Sequence, residues 1–180
     1  ELDGAEVFYT GPPAGVPRLW RMLSETPGAW RWTPSLRANL SYPDRKARWK
    51  RDALNTAVPL LRNRRFDVLY TTSPPVTAHV AGAILKRRFG VPWVADFRDP
   101  WTDNRLAYRR IWTVRRWLDQ HLERRIYRLV DAVIANTETN RRTLIANHRI
   151  AAEKVVTIPN GYDEADFQSV ISERRTDFFR

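Results

Sequence analysis

Residues 66–101, FDVLYTTSPPVTAHVAGAILKRRFGVPWVADFRDPW, constrain the fold more than any other stretch of the chain. A short apolar run over residues 67–72 reads as a strand and ends at Ser73-Pro74-Pro75. An alanine-rich run over residues 76–89 reads as a helix, and Pro74 and Pro75 suit its first turn, where a missing N–H costs nothing. After Gly90 a second strand, over residues 92–95, runs into Asp96, Arg98, Asp99, Pro100 and Trp101. The unit is strand–helix–strand, with its polar groups at the carboxyl ends of both strands. Open parallel sheets bind ligands at that edge.

The rest of the chain extends the alternation. Residues 6–10 read as a short strand, and Asp44 as the N-cap of a helix over residues 45–64 that Pro59 kinks or splits. A long arginine-rich helix is expected over residues 107–129, a buried strand over 131–135, and a helix capped by Thr137 to about residue 147. A last strand over 155–158 stops at Pro159-Asn160-Gly161, where the glycine suits a tight turn with positive φ. Residues 16–41, with Trp20, Trp30 and Trp32 among prolines, give no clear signal. Continuous apolar strands alternating with helices predict an α/β fold, a Rossmann-like parallel sheet with helices on both faces. A length of 180 residues predicts one domain, or one domain plus a fragment.

Composition narrows the chemistry. With no cysteine, the chain has no disulfide framework and no thiolate site. No run of about 18 uncharged apolar residues is present. The net charge of +11, carried mainly by arginine, has a bland reading as a solvated surface. The sharper readings, in order, are an anionic membrane, a phosphorylated ligand and nucleic acid; no zinc-finger, RNA-binding or helix-turn-helix pattern supports the last. His79, inside the alanine-rich helix, reads as a packed histidine, and His121 and His148 as surface residues. None of the three has metal-ligand spacing.

Four segments in order, FDVLYTTSPP, GVPWVADFRDPW, LERRIYRLVDAVIANT and VVTIPNGYDEADF, resemble the amino-terminal, acceptor-side domain of family 4 glycosyltransferases. The similarity is closest to bacterial members that build cell-surface polysaccharides. It implies one half of a retaining enzyme of two Rossmann-like domains, moving a sugar from a nucleotide donor to an acceptor hydroxyl. The implied layout is a domain over residues 1–160, expected to lack its first strand and glycine-rich loop. Residues 161–180 would link to a carboxyl-terminal donor-binding domain that is not in the sequence. On that reading the isolated chain is inactive, and the nucleotide sugar binds mainly the missing domain. No other cofactor and no metal is implied. The acceptor is a sugar or lipid-linked glycan, and the location is cytoplasmic, with peripheral attachment to the inner membrane face as an extension.

The resemblance directs attention to particular residues. Arg98 and Asp99 stand where the family often carries a polar pair facing the cleft, which makes them the catalytic candidates. A carboxylate there can accept a hydrogen bond from an acceptor hydroxyl, and an arginine can hold phosphate. The competing reading is an Arg–Asp pair that only closes the loop. Asp96, Ser73 and Thr72 are acceptor-binding candidates, weighed against simple helix capping. Asn160 and Gly161 are hinge candidates. Arg109, Arg110, Arg116 and Trp117, on the arginine-rich helix, suit a membrane surface or lipid phosphate. Leu118, Leu122, Ile126 and Leu129 form the stripe expected to pack on the sheet, and Asp119 can pair with Arg115 or Arg116 on a solvated face. The alternative function is a non-catalytic Rossmann-like module that uses this basic aromatic helix on membranes or phosphorylated ligands.

Overall fold

The computed structural model describes residues 5–8, 10, 39–104 and 107–161. The expected link over 161–180 lies outside the described residues beyond Gly161, as do Trp20, Trp30 and Trp32. Four strands, β1 (Leu69–Ser73), β2 (Trp93–Phe97), β3 (Ala132–Ala135) and β4 (Val155–Thr157), form one sheet in the order β1-β2-β3-β4. Every pairing is parallel, with Leu69 opposite Trp93, Ala95 opposite Val133 and Val133 opposite Val155. The helices are α1 (Trp49–Asn63), α2 (Thr77–Phe89), α3 (Thr113–Leu129) and α4 (Glu138–His148). This is the α/β, Rossmann-like alternation that the sequence predicts.

The strands twist polar and apolar demands apart by alternation. Trp93, Ala95, Phe97, Val133 and Ala135 are fully buried on one face. His79 of α2 and Tyr127 of α3 stack against Phe97 there, at 4.2 and 5.1 Å, and His148 of α4 reaches Tyr127 at 5.0 Å. These three helices therefore share the Phe97 face, as right-handed crossovers between successive strands require. The alternate residues Tyr70 and Val156 are half exposed on the other face.

Several local expectations change. The helix expected from residue 45 begins at Trp49, and its N-cap Arg48 makes no side-chain capping bond. Asp44 caps a different helix, described below. Pro59 is exposed and α1 runs through it unbroken. Pro74 and Pro75 precede α2 rather than occupying its first turn, since the helix begins at Thr77. The long helix over 107–129 is two pieces, a 3-10 turn at Ala107–Arg110 and then α3. Of the strand expected over 6–10, residues 5–8 and 10 make no strand pairing. They dock on α1 through a Glu6–Arg64 ion pair and a 2.7 Å bond from the Trp49 indole N–H to Thr10. The left-handed glycine is Gly90 (φ 71°), which ends α2 and donates to the Lys86 carbonyl, and not Gly161. Thr137 caps α4 as expected, accepting from the Asn140 N–H at 3.1 Å.

α2 approaches the sheet closely because Gly82 has no side chain. A Cβ there would stand 2.7 Å from Cε2 of Trp93 and 2.9 Å from Cγ2 of Thr71. Trp93 cannot retreat, being fully buried with its indole N–H bonded to Thr71 Oγ1 at 2.8 Å. Gly82→Ala is expected to destabilise the domain by about 1–3 kcal/mol, read from chemical denaturation.

The same threonine hydroxyl lies 2.8 Å from Nδ1 of His79. His79 is fully buried, and burial pulls its pKa down from 6.5 to about 4, against the opposing pull of the nearby Asp96 carboxylate. The unfolded chain takes up this proton below 6.5, whereas the folded chain resists until about 4. The stability from the neutral ring is thus whole above 6.5 and is lost as pH falls toward 4, a change of about 3 kcal/mol. In His79→Leu, stability measured across that interval should lose most of its acid slope.

Candidate functional site

The carboxyl edge of β1 and β2 opens into a cleft of about 660 Å³. Its floor is Ser73 to Val76 and its rim includes Asp99, Pro100 and Trp101. The facing walls come from two segments distant in sequence, residues 41–46 and the inner side of Tyr108 to Asp119. Such a concavity, at the strand ends of an open parallel sheet, is where this architecture places ligands.

One wall is held by a buried arginine. Arg115 donates from Nε to both oxygens of Asp119, at 2.9 and 3.0 Å. Its other nitrogens donate to the carbonyls of Ser41 at 2.7 Å, Pro43 at 2.6 Å and Asn39 at 3.4 Å. The Tyr108 hydroxyl donates to Asp119 at 2.7 Å, and Asn39 accepts from the Trp112 N–H at 2.7 Å. The guanidinium fork thus staples residues 39–43 to the start of α3. Burial raises the Asp119 pKa in spite of the bonds from Tyr108 and Arg115, and burial with the Asp119 bond raises that of Tyr108.

The loop after β2 is fixed from below. Glu123 of α3 is 1% exposed and accepts from the Thr102 hydroxyl and from the Tyr127 hydroxyl at 2.9 Å. Asp103 accepts from Asn147 at 2.9 Å and lies 3.0 Å from Nε2 of His148. Burial pushes the Glu123 pKa up, opposed first by His148. His148, expected at the surface, is instead enclosed between Asp103 and Tyr127. His121 is exposed, as expected, and stacks on Trp117.

The helix N-terminus at the cleft floor is already occupied by the chain's own anion. Asp44 accepts from the Thr77 N–H at 2.7 Å, from the Thr77 hydroxyl at 2.8 Å and from the Lys46 N–H at 2.7 Å. Its carboxylate sits where the free N–H groups and macrodipole of α2 favour negative charge.

The candidate residues separate within this frame. Asp99 and Ser73 line the cleft. Asp99 is exposed, and among the described residues its carboxylate has no ion-pair or hydrogen-bond partner. Arg98 is exposed and does not pair with Asp99; its Nε reaches the Ser73 carbonyl at 3.4 Å. Asp96 is buried in β2 and accepts from the hydroxyls of Tyr70 at 2.7 Å and Thr72 at 2.9 Å, so these residues satisfy one another outside the cleft. Asn160 and Gly161 are exposed beyond β4, on the same carboxyl edge of the sheet. Arg109, Arg116 and Trp117 are exposed, and the side chain of Arg110 lies outside the described residues.

The apolar stripe of α3 packs on the core as expected at Leu122, Ile126 and Leu129, but the buried face is wider than expected and takes in the polar residues beside it. Arg115, Asp119 and Glu123 are buried, whereas Leu118 is 37% exposed. The expected Arg115–Asp119 pair forms, but buried in the cleft wall rather than on a solvated face, since exposed pairs show the same i, i+4 spacing. Asp44 was expected only as a local cap, and the contact of Tyr108 with Asp119 had no signal in the sequence.

A parallel α/β sheet with a cleft at its strand ends is an architecture that binds ligands at that edge. The sequence model of Glycosyltransferase Family 4 matches residues 6–166. The chain belongs to that family, which gives it a glycosyltransferase-type function. No curated protein matches the chain.

Removing Arg115 would leave Asp119 buried and unpaired and would free residues 39–43. Arg115→Ala is expected to cost about 3–5 kcal/mol in denaturation, and the double change Arg115→Met with Asp119→Leu to recover much of it.

Proposed function

We propose that this chain is the amino-terminal, acceptor-side half of a retaining glycosyltransferase acting in polysaccharide assembly. The observation that carries the reading is Asp99, an exposed carboxylate just beyond β2 that lines the cleft and has no hydrogen-bond or ion-pair partner among the described residues, whereas Asp44 and Asp119 in the same cleft are both bonded. Asp99 accepts a hydrogen bond from the acceptor hydroxyl and orients it toward the donor sugar. The Ser73 hydroxyl offers a second contact on the cleft floor. Arg98, exposed beside the cleft with its Nε 3.4 Å from the Ser73 carbonyl, meets phosphate or the acceptor's oxygens. Asp96 and Thr72 hold the shape of the strand ends rather than touching the acceptor.

The domain's contribution is positional. Positioning the acceptor hydroxyl and excluding water lowers the barrier without a strong base from this domain. In this proposal the nucleotide-sugar donor is held mainly by a second Rossmann-like domain, and Asn160-Gly161 lies at the hinge between them. The acceptor class is a sugar hydroxyl, free or on a lipid-linked glycan, and the setting is cytoplasmic.

The test is Asp99→Asn in the full-length gene product, assayed for transfer from nucleotide sugars. A charged hydrogen bond made in the transition state is worth about 2–4 kcal/mol, so turnover should fall on the order of 30- to 1,000-fold. Thermal stability should hardly move, because Asp99 is exposed. Normal turnover in a destabilised Asp99→Asn protein would overturn the assignment. A binding module without transfer chemistry would show no activity in the parent protein either.

A further inference from the structure

α3 packs Leu122, Ile126, Tyr127 and Leu129 on the core, yet its polar groups do not follow the usual division. Its two acids, Asp119 and Glu123, are each 1% exposed and both turn inward with Arg115. Its outward face also carries apolar residues: Val114 is 70% and Trp117 57% exposed. At 3.6 residues per turn, Val114, Trp117, His121, Arg124, Arg125 and Arg128 fall on that side. All three arginines are exposed. Trp112, just before the helix, is 52% exposed, and Leu40 is 69% exposed on the segment that Arg115 staples alongside. Tyr42 closes the patch, with its hydroxyl 3.5 Å from the Leu118 carbonyl.

Single exposed apolar residues are ordinary, but a contiguous set is the mark of a partner. Here the partner's chemistry is narrowly specified. No acid of α3 faces outward, so the partner is anionic. Aliphatic Val114 and Leu40 stand among the indoles, so it also offers hydrocarbon next to its charges. Nucleic acid supplies the charge and flat rings but no aliphatic layer. Among the described residues no helix is long and apolar enough to cross a membrane, so contact of this kind is interfacial.

We propose that the outer face of α3, with Trp112 and Leu40, docks on the surface of an anionic lipid bilayer. The tryptophans sit at headgroup depth and the arginines meet lipid phosphates. Because the inner side of the same segment walls the cleft, docking brings the cleft mouth to the bilayer. That last consequence rests on the acceptor-cleft reading; the docking itself does not.

Sedimentation of the chain with vesicles tests it without any activity assay. Vesicles of phosphatidylcholine mixed with phosphatidylglycerol should bind at low salt and less at high salt, and pure phosphatidylcholine should bind far more weakly. Arg124→Gln/Arg125→Gln/Arg128→Gln should weaken binding about 100-fold, from about fivefold per charge. Val114→Ser/Trp117→Ser should weaken it at both salt levels. Arg87→Gln/Arg88→Gln, which removes two exposed arginines of α2, should leave it within about twofold if the site is local. Circular dichroism melts would confirm that each variant keeps the fold. Absence of binding to anionic vesicles overturns the proposal. So does equal weakening by the α2 pair, which would mean diffuse charge attraction. Loss of self-association in lipid-free Val114→Ser/Trp117→Ser, with vesicle binding unchanged, would assign the face to a second copy and overturn it too.

Discussion

The buried guanidinium of Arg115 is the constraint on which the arrangement around the cleft depends. One side chain satisfies a buried carboxylate and the carbonyls of residues 39–43, more than 70 positions away in sequence. Desolvating this pair is expensive, and its geometry repays the cost only with every donor engaged. The pair therefore fixes the rotation of α3 about its axis. Once Arg115 and Asp119 face inward, Glu123 follows one turn later and reaches the loop after β2. Val114 and Trp117 are then forced outward. Cleft wall, loop support and exposed aromatic face are three consequences of one rotational setting.

The parallel sheet was legible because its signals are local. The runs around DVLY and DAVIA are apolar without interruption, as strands covered on both faces tend to be, and Gly90 and Thr137 mark helix ends within a residue or two. Asp44 was not legible in this way. An aspartate followed by a helix-forming run is the ordinary appearance of a local cap, yet this one bonds Thr77, 33 residues on. Nothing within a short window distinguishes the two cases. α3 was legible only in part, for a related reason. Leu118, Leu122, Ile126 and Leu129 form a good apolar stripe, but Arg115, Asp119 and Glu123 lie on the adjoining face and have partners only in the folded chain. Hydrophobic periodicity ranks faces by transfer cost, and it cannot credit polar groups for bonds made across the fold.

The site shows the same division. The sequence placed a knot of charge at the end of β2, and the cleft is there. It could not say which carboxylate faced the cleft, because that depends on where the strand stops. β2 runs two residues past the expected end, through Asp96 and Phe97. Asp96 is thereby a ladder residue opposite Thr72, and alternation turns it away from the Phe97 face.

Two carboxylates three residues apart thus come to different ends by strand geometry alone. Asp96 is desolvated and must have partners, and Tyr70 and Thr72 supply them. Asp99 lies beyond the ladder, where the chain turns over the Thr102–Glu123 contact, and solvent carries its hydration. A group that is solvated can exchange water for a ligand hydroxyl at little net cost, whereas a group already bonded within the protein must first break those bonds. The proposed ligand-facing role of Asp99 therefore has an energetic basis. Of the two carboxylates it is the one free to change partners, and the Thr102–Glu123 contact holds the loop beneath it, so the exchange requires no rearrangement of the fold.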